Sequence, residues 1–405
     1  MTYHTTARRP LPEHRGDSRR PRYLRLAVVR LPAVVATGAL VLAGCTLGGD
    51  SGQQAPADPG ATNDGETNGE ANGEANDGEG TEPQDAQPGG PVQVITHDSF
   101  ALSEELLESF TEQTGHELQF SAPGDGGALV NQLILTADAP LGDVVYGVDN
   151  SFASRGIAEG VFDEYASPAL PDGAEQYLID GGHALTPVDV GDVCLNIDTA
   201  WYQEQDITAP QDLADLTEEA YADHLVVTNP ATSSPGLAFL LATIAEFGED
   251  WTDYWQDLSD NGLLVVDSWS TAYSEEFSGS VGQGPRPIAL SYSTSPAFEV
   301  GPEGEEPETE SMLDTCFRQV EYAGVISGAQ NPEGAQAFID FLLSDEVQAD
   351  IPDQMFMYPV NDELDLPEEW TRWAPLADEP RNLEPAEIDE GRQEWIDTWT
   401  DIVIG

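Results

Sequence analysis

From Val92 onward the chain alternates between two hydrophobic periods. VQVIT (Val92–Thr96) is a short apolar run. LSEELLESFTEQTG follows, with Leu102, Leu106 and Phe110 at i, i+4 and i+8 and Gly115 placed as a helix C-cap. ELQFSA (Glu117–Ala122) reads as a second strand and ALVNQLILTA (Ala128–Ala137) as a second helix. GDVVYG (Gly142–Gly147) reads as a third strand, with a short helix running to Gly160. The alternation then returns. HLVVT (His224–Thr228) leads to LAFLLATIAEFG, GLLVV (Gly262–Val266) to DSWSTAY, and PIALS (Pro287–Ser291) to YSTSPAF. Strand–helix alternation predicts two α/β units on parallel sheets with right-handed crossovers.

Two longer runs join the units. TPVDVGDVCLNIDTAWY (Thr186–Tyr202) reads as a strand leaving the first unit and CFRQVEYAGVI (Cys316–Ile326) as a strand returning. Two such crossing strands make a hinge between two lobes. This assigns residues 92–187 and 325–405 to lobe 1, with the C-terminal helices, and residues 188–324 to lobe 2. PEGAQAFIDFLLS is a helix capped by Asn331 with Pro332 at its first position. Trp370, Trp373, Trp395 and Trp399 lie outside the strand-end loops and read as packing residues.

In open α/β sheets ligands sit beyond the C-terminal ends of the strands. The loops there carry His97, Asp98, Ser99, Asp125, Gly126, Asp149 and Asn150 in the first unit. In the second they carry Thr232, Ser233, Ser234, Trp269, Tyr273, Tyr292, Ser293, Thr294 and Ser295. A cleft between facing lobes would bring both sets together.

The charge of the chain changes what partners are plausible. There are 75 acids and 14 bases, for a formal net charge of -61, and every base is arginine. Acids spread along the whole chain without lysine read as an adaptation of solubility to high salt. A basic surface for phosphate is missing, which excludes nucleic acid as a partner. Eight arginines stand at or before Arg30, ahead of an apolar run, LPAVVATGALVLAG (Leu31–Gly44), that ends at Cys45. The run is short for a membrane span. LAGC (Leu42–Cys45) resembles a bacterial lipobox, which implies a signal peptide over residues 1–44 and a lipid on Cys45. SRRPRYLR (Ser18–Arg25) resembles a twin-arginine export signal with one residue too many, which leaves the export route open. Residues 45–91 are an acidic Gly/Asn/Glu-rich tether without the apolar content of a core. The expected protein is a monomer held by its lipid on the outer face of the cell membrane. Beyond Cys45 only Cys194 and Cys316 remain, on the two hinge strands. In an oxidising compartment they are expected to form a disulfide, the alternative being two separate buried thiols.

Eight motifs in order resemble the periplasmic thiamine-binding proteins of ABC importers, a branch of the two-lobed type II periplasmic binding proteins. They are THDSF, GDGGALVNQL, DVVYGVDN, NPATSSPGLAFLL, DSWSTAYSEEF, LSYSTSPAF, QVEYAGV and MYPV. The resemblance implies an α/β, two-lobed fold with two hinge-crossing strands. It implies a non-enzymatic protein that hands thiamine, or a thiamine phosphate, to an ABC permease, with no further cofactor or metal. It places the ligand loops on Asp125 and Gly126, on Ser233 and Ser234, on the stacking Trp269, and on Tyr292, Ser293, Thr294, Ser295 and Pro296. His97, Phe298 and Phe356 stand where relatives carry tyrosine, tyrosine and tryptophan.

The residue types suit that ligand. A thiazolium cation seeks aromatic faces, at about 0.5–2 kcal/mol per contact. Trp269 and Tyr292 supply them, with Tyr273, Phe298 and Phe356 as further candidates. An aminopyrimidine seeks a carboxylate, for which Asp98, Asp125 and Asp149 are available. A hydroxyl or phosphate seeks donors at a helix start, which TSSPG offers. Simpler roles stand beside these. Ser233 and Asp98 are also expected caps, His97 a candidate core histidine, Tyr273 a packing ring, and Asp149 with Asn150 a turn. Two other functions fit the fold. A thiaminase-like enzyme needs a cleft cysteine, and here both cysteines lie on hinge strands. A binding protein for another cationic solute, such as a polyamine, uses acids and aromatics in a similar cleft.

Overall fold

The computed structural model describes residues 90–300 and 306–405. The expected signal peptide, Cys45 and the expected tether up to residue 89 lie outside the described residues.

The first unit runs β1 (Val92–Thr96), α1 (Glu104–Thr114), β2 (Leu118–Ser121), α2 (Gly126–Leu135), β3 (Val144–Asp149), α3 (Ala153–Ala158) and β4 (Phe162–Asp163). The long β5 (Thr186–Asp198) leads into α4 (Thr199–Gln205), β6 (Leu225–Thr228), α5 (Ser234–Phe247), α6 (Trp251–Asp260), β7 (Leu264–Val266), α7 (Trp269–Thr271) and β8 (Ile288–Tyr292). The longer β9 (Thr309–Ile326) returns. It is followed by α8 (Pro332–Leu342), α9 (Asp345–Met355), β10 (Tyr358–Pro359), α10 (Glu368–Trp373) and α11 (Pro385–Val403).

Local chemistry sets many of these boundaries. Gly115 ends α1 in the left-handed conformation at φ 74°, its N–H bonded to the Thr111 carbonyl. Asn331 caps α8 by accepting from Gly334 N at 3.0 Å, with Pro332 in the first turn. Asp198 ends β5 by capping α4 through Trp201 N at 2.8 Å. Trp201 and Tyr202 are therefore helical, a correction to the strand expected through Tyr202. The returning strand begins at Thr309, earlier than the expected Cys316.

The strands form one sheet in the order β2-β1-β3-β9-β5-β8-β6-β7, with β4 and β10 pairing at its side. Each half is parallel as expected: β1 with β2 and β3, β6 with β7 and β8. The two halves belong to one continuous sheet. They are joined by β5 and β9, which pair antiparallel from Thr186 opposite Ala323 to Asp198 opposite Thr309. A disulfide links Cys194 and Cys316 across these two strands, with Cα atoms 4.2 Å apart.

Apolar faces of the helices cover the sheet. Phe110 of α1 packs against Phe338 and Phe341 of α8. Trp399 of α11 stands edge-on to Trp255 of α6, ring centroids 5.5 Å apart. From the same helix, Arg392 donates to the Ser151 carbonyl at 2.8 Å and to Ser154 Oγ at 3.0 Å. The C-terminal helix thus packs on elements of both units.

Candidate functional site

The loops at the C-terminal ends of β1 and β2 face those of β6, β7 and β8 across a cavity of about 250 Å³. The two sides touch. Asp125, at the start of α2, accepts from Ser234 N at 3.3 Å and from Trp269 N at 3.1 Å. Ala128 N donates to the Thr232 carbonyl at 3.0 Å, and the Ser99 and Ser270 hydroxyls are 3.1 Å apart. Gly126 makes this approach possible, because a Cβ there would stand 2.0 Å from Ser234 Oγ.

One wall is aromatic. Ser268 caps a short turn of helix that begins with Trp269. The indole N–H donates to Ser291 Oγ at 2.8 Å, and Ser291 in turn meets Ser295 Oγ at 2.7 Å. Tyr273 stacks on Trp269 at 5.4 Å with planes 10° apart, while Trp269 itself lines the cavity. Tyr292 and Phe356 meet Trp269 edge-on, each at 6.1 Å, and both line the cavity. Phe356 leaves α9 in the left-handed region at φ 62°, with its carbonyl taken by the Thr294 hydroxyl. The neighbouring Met355, Met357 and Gln354 complete this side.

The floor is acidic and comes from the sheet. Glu321 lines the cavity. In register it lies between Asp149 on β3 and Asp189 on β5. Glu321 accepts from Tyr146 Oη at 2.8 Å and Gln319 Nε2 at 2.9 Å, and its Oε2 is 3.4 Å from His97 Nε2. Gln319 also reaches the Tyr292 hydroxyl at 3.1 Å, tying floor to wall. His97 Nδ1 accepts from Ser99 N at 3.2 Å, so in the neutral ring Nε2 carries the hydrogen that faces Glu321. His97 packs closely over Gly147, where a Cβ would fall 2.1 Å from the ring.

Burial pushes Asp125 and Asp149 above the usual carboxylate range, although Gly126 N–H and the Ser151 and Ser234 hydroxyls partly offset it. Asp189 is held well above that range by burial and then by Glu321. Burial would also raise Glu321, but His97, Tyr146 and Gln319 overcome it and hold it below its ordinary value. Burial lowers the proton affinity of His97. The carboxylates of Glu321, Asp125 and Asp98 outweigh burial, and the net direction is up. Among the described residues no arginine ion pair includes Asp125, Asp149, Asp189 or Glu321.

The cavity therefore gathers His97, Asp125, Trp269, Tyr292 and Phe356 from the expected set. Others stand behind it. Ser233 is fully buried, capping α5 through Gly236 N and donating to Thr228 Oγ1 at 2.8 Å. Ser234 donates to Asp149, which also caps Ser151. Tyr273 backs Trp269 and donates to Glu299 at 2.7 Å. Ser295 braces Ser291, and Phe298 lies against Phe356 with centroids 3.5 Å apart. Ser293 and Pro296 face a different cavity, beside Trp373. Asp98 sits at the surface, its N–H bonded to the Gly124 carbonyl at 3.0 Å. Glu321, Gln319, Asp189 and Tyr146 escaped sequence reasoning as site residues. Their signal was present: acids inside the apolar runs TPVDVGDV and RQVEYAGV are expensive to bury without a purpose.

Residues 139–378 match the profile of a family described as bacterial extracellular solute-binding protein. The chain belongs to that family. Among its relatives, the thiamine-binding periplasmic protein of Escherichia coli (strain K12) is 30% identical over 318 residues, covering 76% of this chain and 92% of the relative. The thiamine-binding periplasmic protein of Brucella suis biovar 1 (strain 1330) is 28% identical over 327 residues, covering 78% and 92%. A solved structure titled periplasmic thiamin binding protein superposes with a TM-score of 0.67 at 28% identity, over 77% of this chain and 96% of that one. Iron-bound HitA from Pseudomonas aeruginosa, at 21% identity and a TM-score of 0.60 over 77% and 99%, shares the fold. This member of the family thus has the two-lobed architecture of periplasmic binding proteins. Its named relatives are binding proteins and not enzymes.

Proposed function

We propose that the protein captures thiamine in the cleft between its lobes and passes it to an ABC permease. In this reading it works outside the cytoplasm, tethered by a lipid on Cys45. The observation that carries the ligand class is the joining of an aromatic wall (Trp269, Tyr292, Phe356) to a buried carboxylate floor in one cavity. Aromatic faces and an anion together suit a flat organic cation. The relatives' names support the same ligand.

The reading favours free thiamine over its phosphates. The start of α5 was the expected phosphate seat, but Ser234 N–H is taken by Asp125 and its hydroxyl by Asp149. Two carboxylates already occupy the donors that a phosphate would need. The thiaminase-like alternative finds no free cysteine nucleophile among the described residues, because Cys194 and Cys316 are fully buried and joined to each other.

Calorimetry at molar salt against thiamine, thiamine monophosphate, spermidine and ferric ion tests the proposal. Thiamine is expected to bind, and more tightly than its phosphate. A folded protein that leaves thiamine unbound, or that prefers spermidine, overturns it.

A further inference from the structure

We propose that Glu321 is the fixed counter-charge of the cleft, kept ionised by a hydrogen-bond chain that starts at a neutral Asp189, so that ligands are selected by positive charge as well as ring shape. The choice of probe below rests on the thiamine reading.

The argument begins with register. Asp149, Glu321 and Asp189 lie side by side on β3, β9 and β5. Directly opposed residues share one face of a sheet, and like charges there destabilise it. All three are buried, and none has an arginine partner among the described residues. Three adjacent carboxylates are untenable in that setting, so the row must hold at least one proton.

Hydrogen bonding locates that proton. The Tyr146 hydroxyl lies within bonding distance of both Asp189 Oδ2 and Glu321 Oε2, yet it has one hydrogen to give. One of the two acids must therefore donate to the phenol oxygen. Glu321 accepts from Tyr146 and Gln319 Nε2, and the His97 ring nitrogen Nε2 stands 3.4 Å from it. Asp189 has only the Tyr146 hydroxyl, and its other oxygen is buried without a partner. The proton belongs on Asp189. The chain then runs from the Asp189 O–H to the Tyr146 oxygen, and from the Tyr146 O–H to the Glu321 carboxylate. Asp149 is stabilised separately by the Ser151 and Ser234 hydroxyls, behind the wall. Glu321 alone of the three lines the cavity.

Binding of thiamine is compared by calorimetry with 3-deazathiamine, the isostere in which carbon replaces the charged ring nitrogen. Wild type is expected to prefer thiamine by about tenfold or more, and Glu321→Gln to weaken thiamine about 10- to 100-fold while changing the isostere less than about threefold. Equal losses for both ligands, or no preference in wild type, overturn the proposal. If Glu321→Gln does not fold, the wild-type preference still decides. Infrared spectroscopy tests the chain without any ligand. A carboxylic-acid C=O band is expected in wild type at neutral pH and weakened in Asp189→Asn; a wild type without it, or a variant band equal to wild type, refutes the neutral Asp189. Wild type that binds neither compound defeats the thiamine reading, and the infrared band then decides the charge assignment.

Discussion

The aromatic wall and the acidic floor of the cleft are built by different means. The wall is made of residues at element ends, Trp269 after β7, Tyr292 closing β8 and Phe356 after α9, and part of its orientation is local: Trp269 is set by Ser268 and Tyr273, and Ser291 by Ser295. The floor is made of mid-strand residues on β3, β5 and β9, brought together by pairing across long stretches of chain. The wall offers polarisable surface that tolerates some change of shape. The floor offers one charge whose state depends on every neighbour. Shape and charge recognition are therefore separable in this site, and substitutions on each side should fail differently.

The largest expected effect breaks the floor's support. Removing the Cys194–Cys316 disulfide by Cys→Ser changes at both positions should cost about 2–4 kcal/mol of stability. It would be read as a lower denaturant midpoint, with reductant having no further effect on the variant. A midpoint equal to wild type would mean that strand pairing alone holds β5 to β9.

On the wall, Trp269→Ala should weaken thiamine by about 1–3 kcal/mol through lost stacking and cation–π contact. Trp269→Phe should recover part of this, since it keeps a ring but loses the bond to Ser291. Unchanged affinity in the alanine variant would remove Trp269 from the site.

Asp189→Asn addresses the floor alone and should act on stability through pH. The folded protein raises the proton affinity of Asp189, so that contribution is fully present below the unfolded carboxylate pKa and lost as pH rises towards the folded value. The asparagine has no such loss. Its advantage over wild type should grow with pH by at most about 1.4 kcal/mol per unit across that window and vanish in acid. Chemical denaturation across pH measures it, and a pH-independent difference would contradict a neutral Asp189.

The smallest expected effect joins the two sides. His97 faces Glu321 of β9, Asp125 of the α2 cap, Asp98 of its own loop and the Tyr146 ring of β3. Its raised proton affinity means that it gains charge as pH falls through a value above the usual histidine range. That charge offsets Glu321, so thiamine affinity should drop several-fold as pH falls through that raised value. His97→Gln should flatten the profile.

Much of the fold was legible because its signals are local. The i, i+4 spacing of α1, the glycine after it, and Asn331 with Pro332 ahead of α8 each specify an element within one or two turns. Asp198 was an equally local cap signal, and it explains why β5 stops before Trp201. The early start of β9 was less legible because its first residues, Thr309 to Asp314, are mostly polar. In the site, the rings could be read from their loops, but whether Ser233 was a cap or a ligand group could not. Ser233 turns inward to Thr228, while Asp125 spans the cleft to Ser234 and Trp269.

The amino-acid order determined the strand–helix alternation, the caps and the supply of rings and acids at strand ends, because periodicity and capping act over a few residues. Only the tertiary structure decided that Asp149, Glu321 and Asp189 form one row, that Tyr146 bridges two of them, and that Glu321 faces the cavity. Those relations depend on the register of three distant strands and on burial, which turns three ordinary acids into a proton-sharing group with one charge facing the cavity.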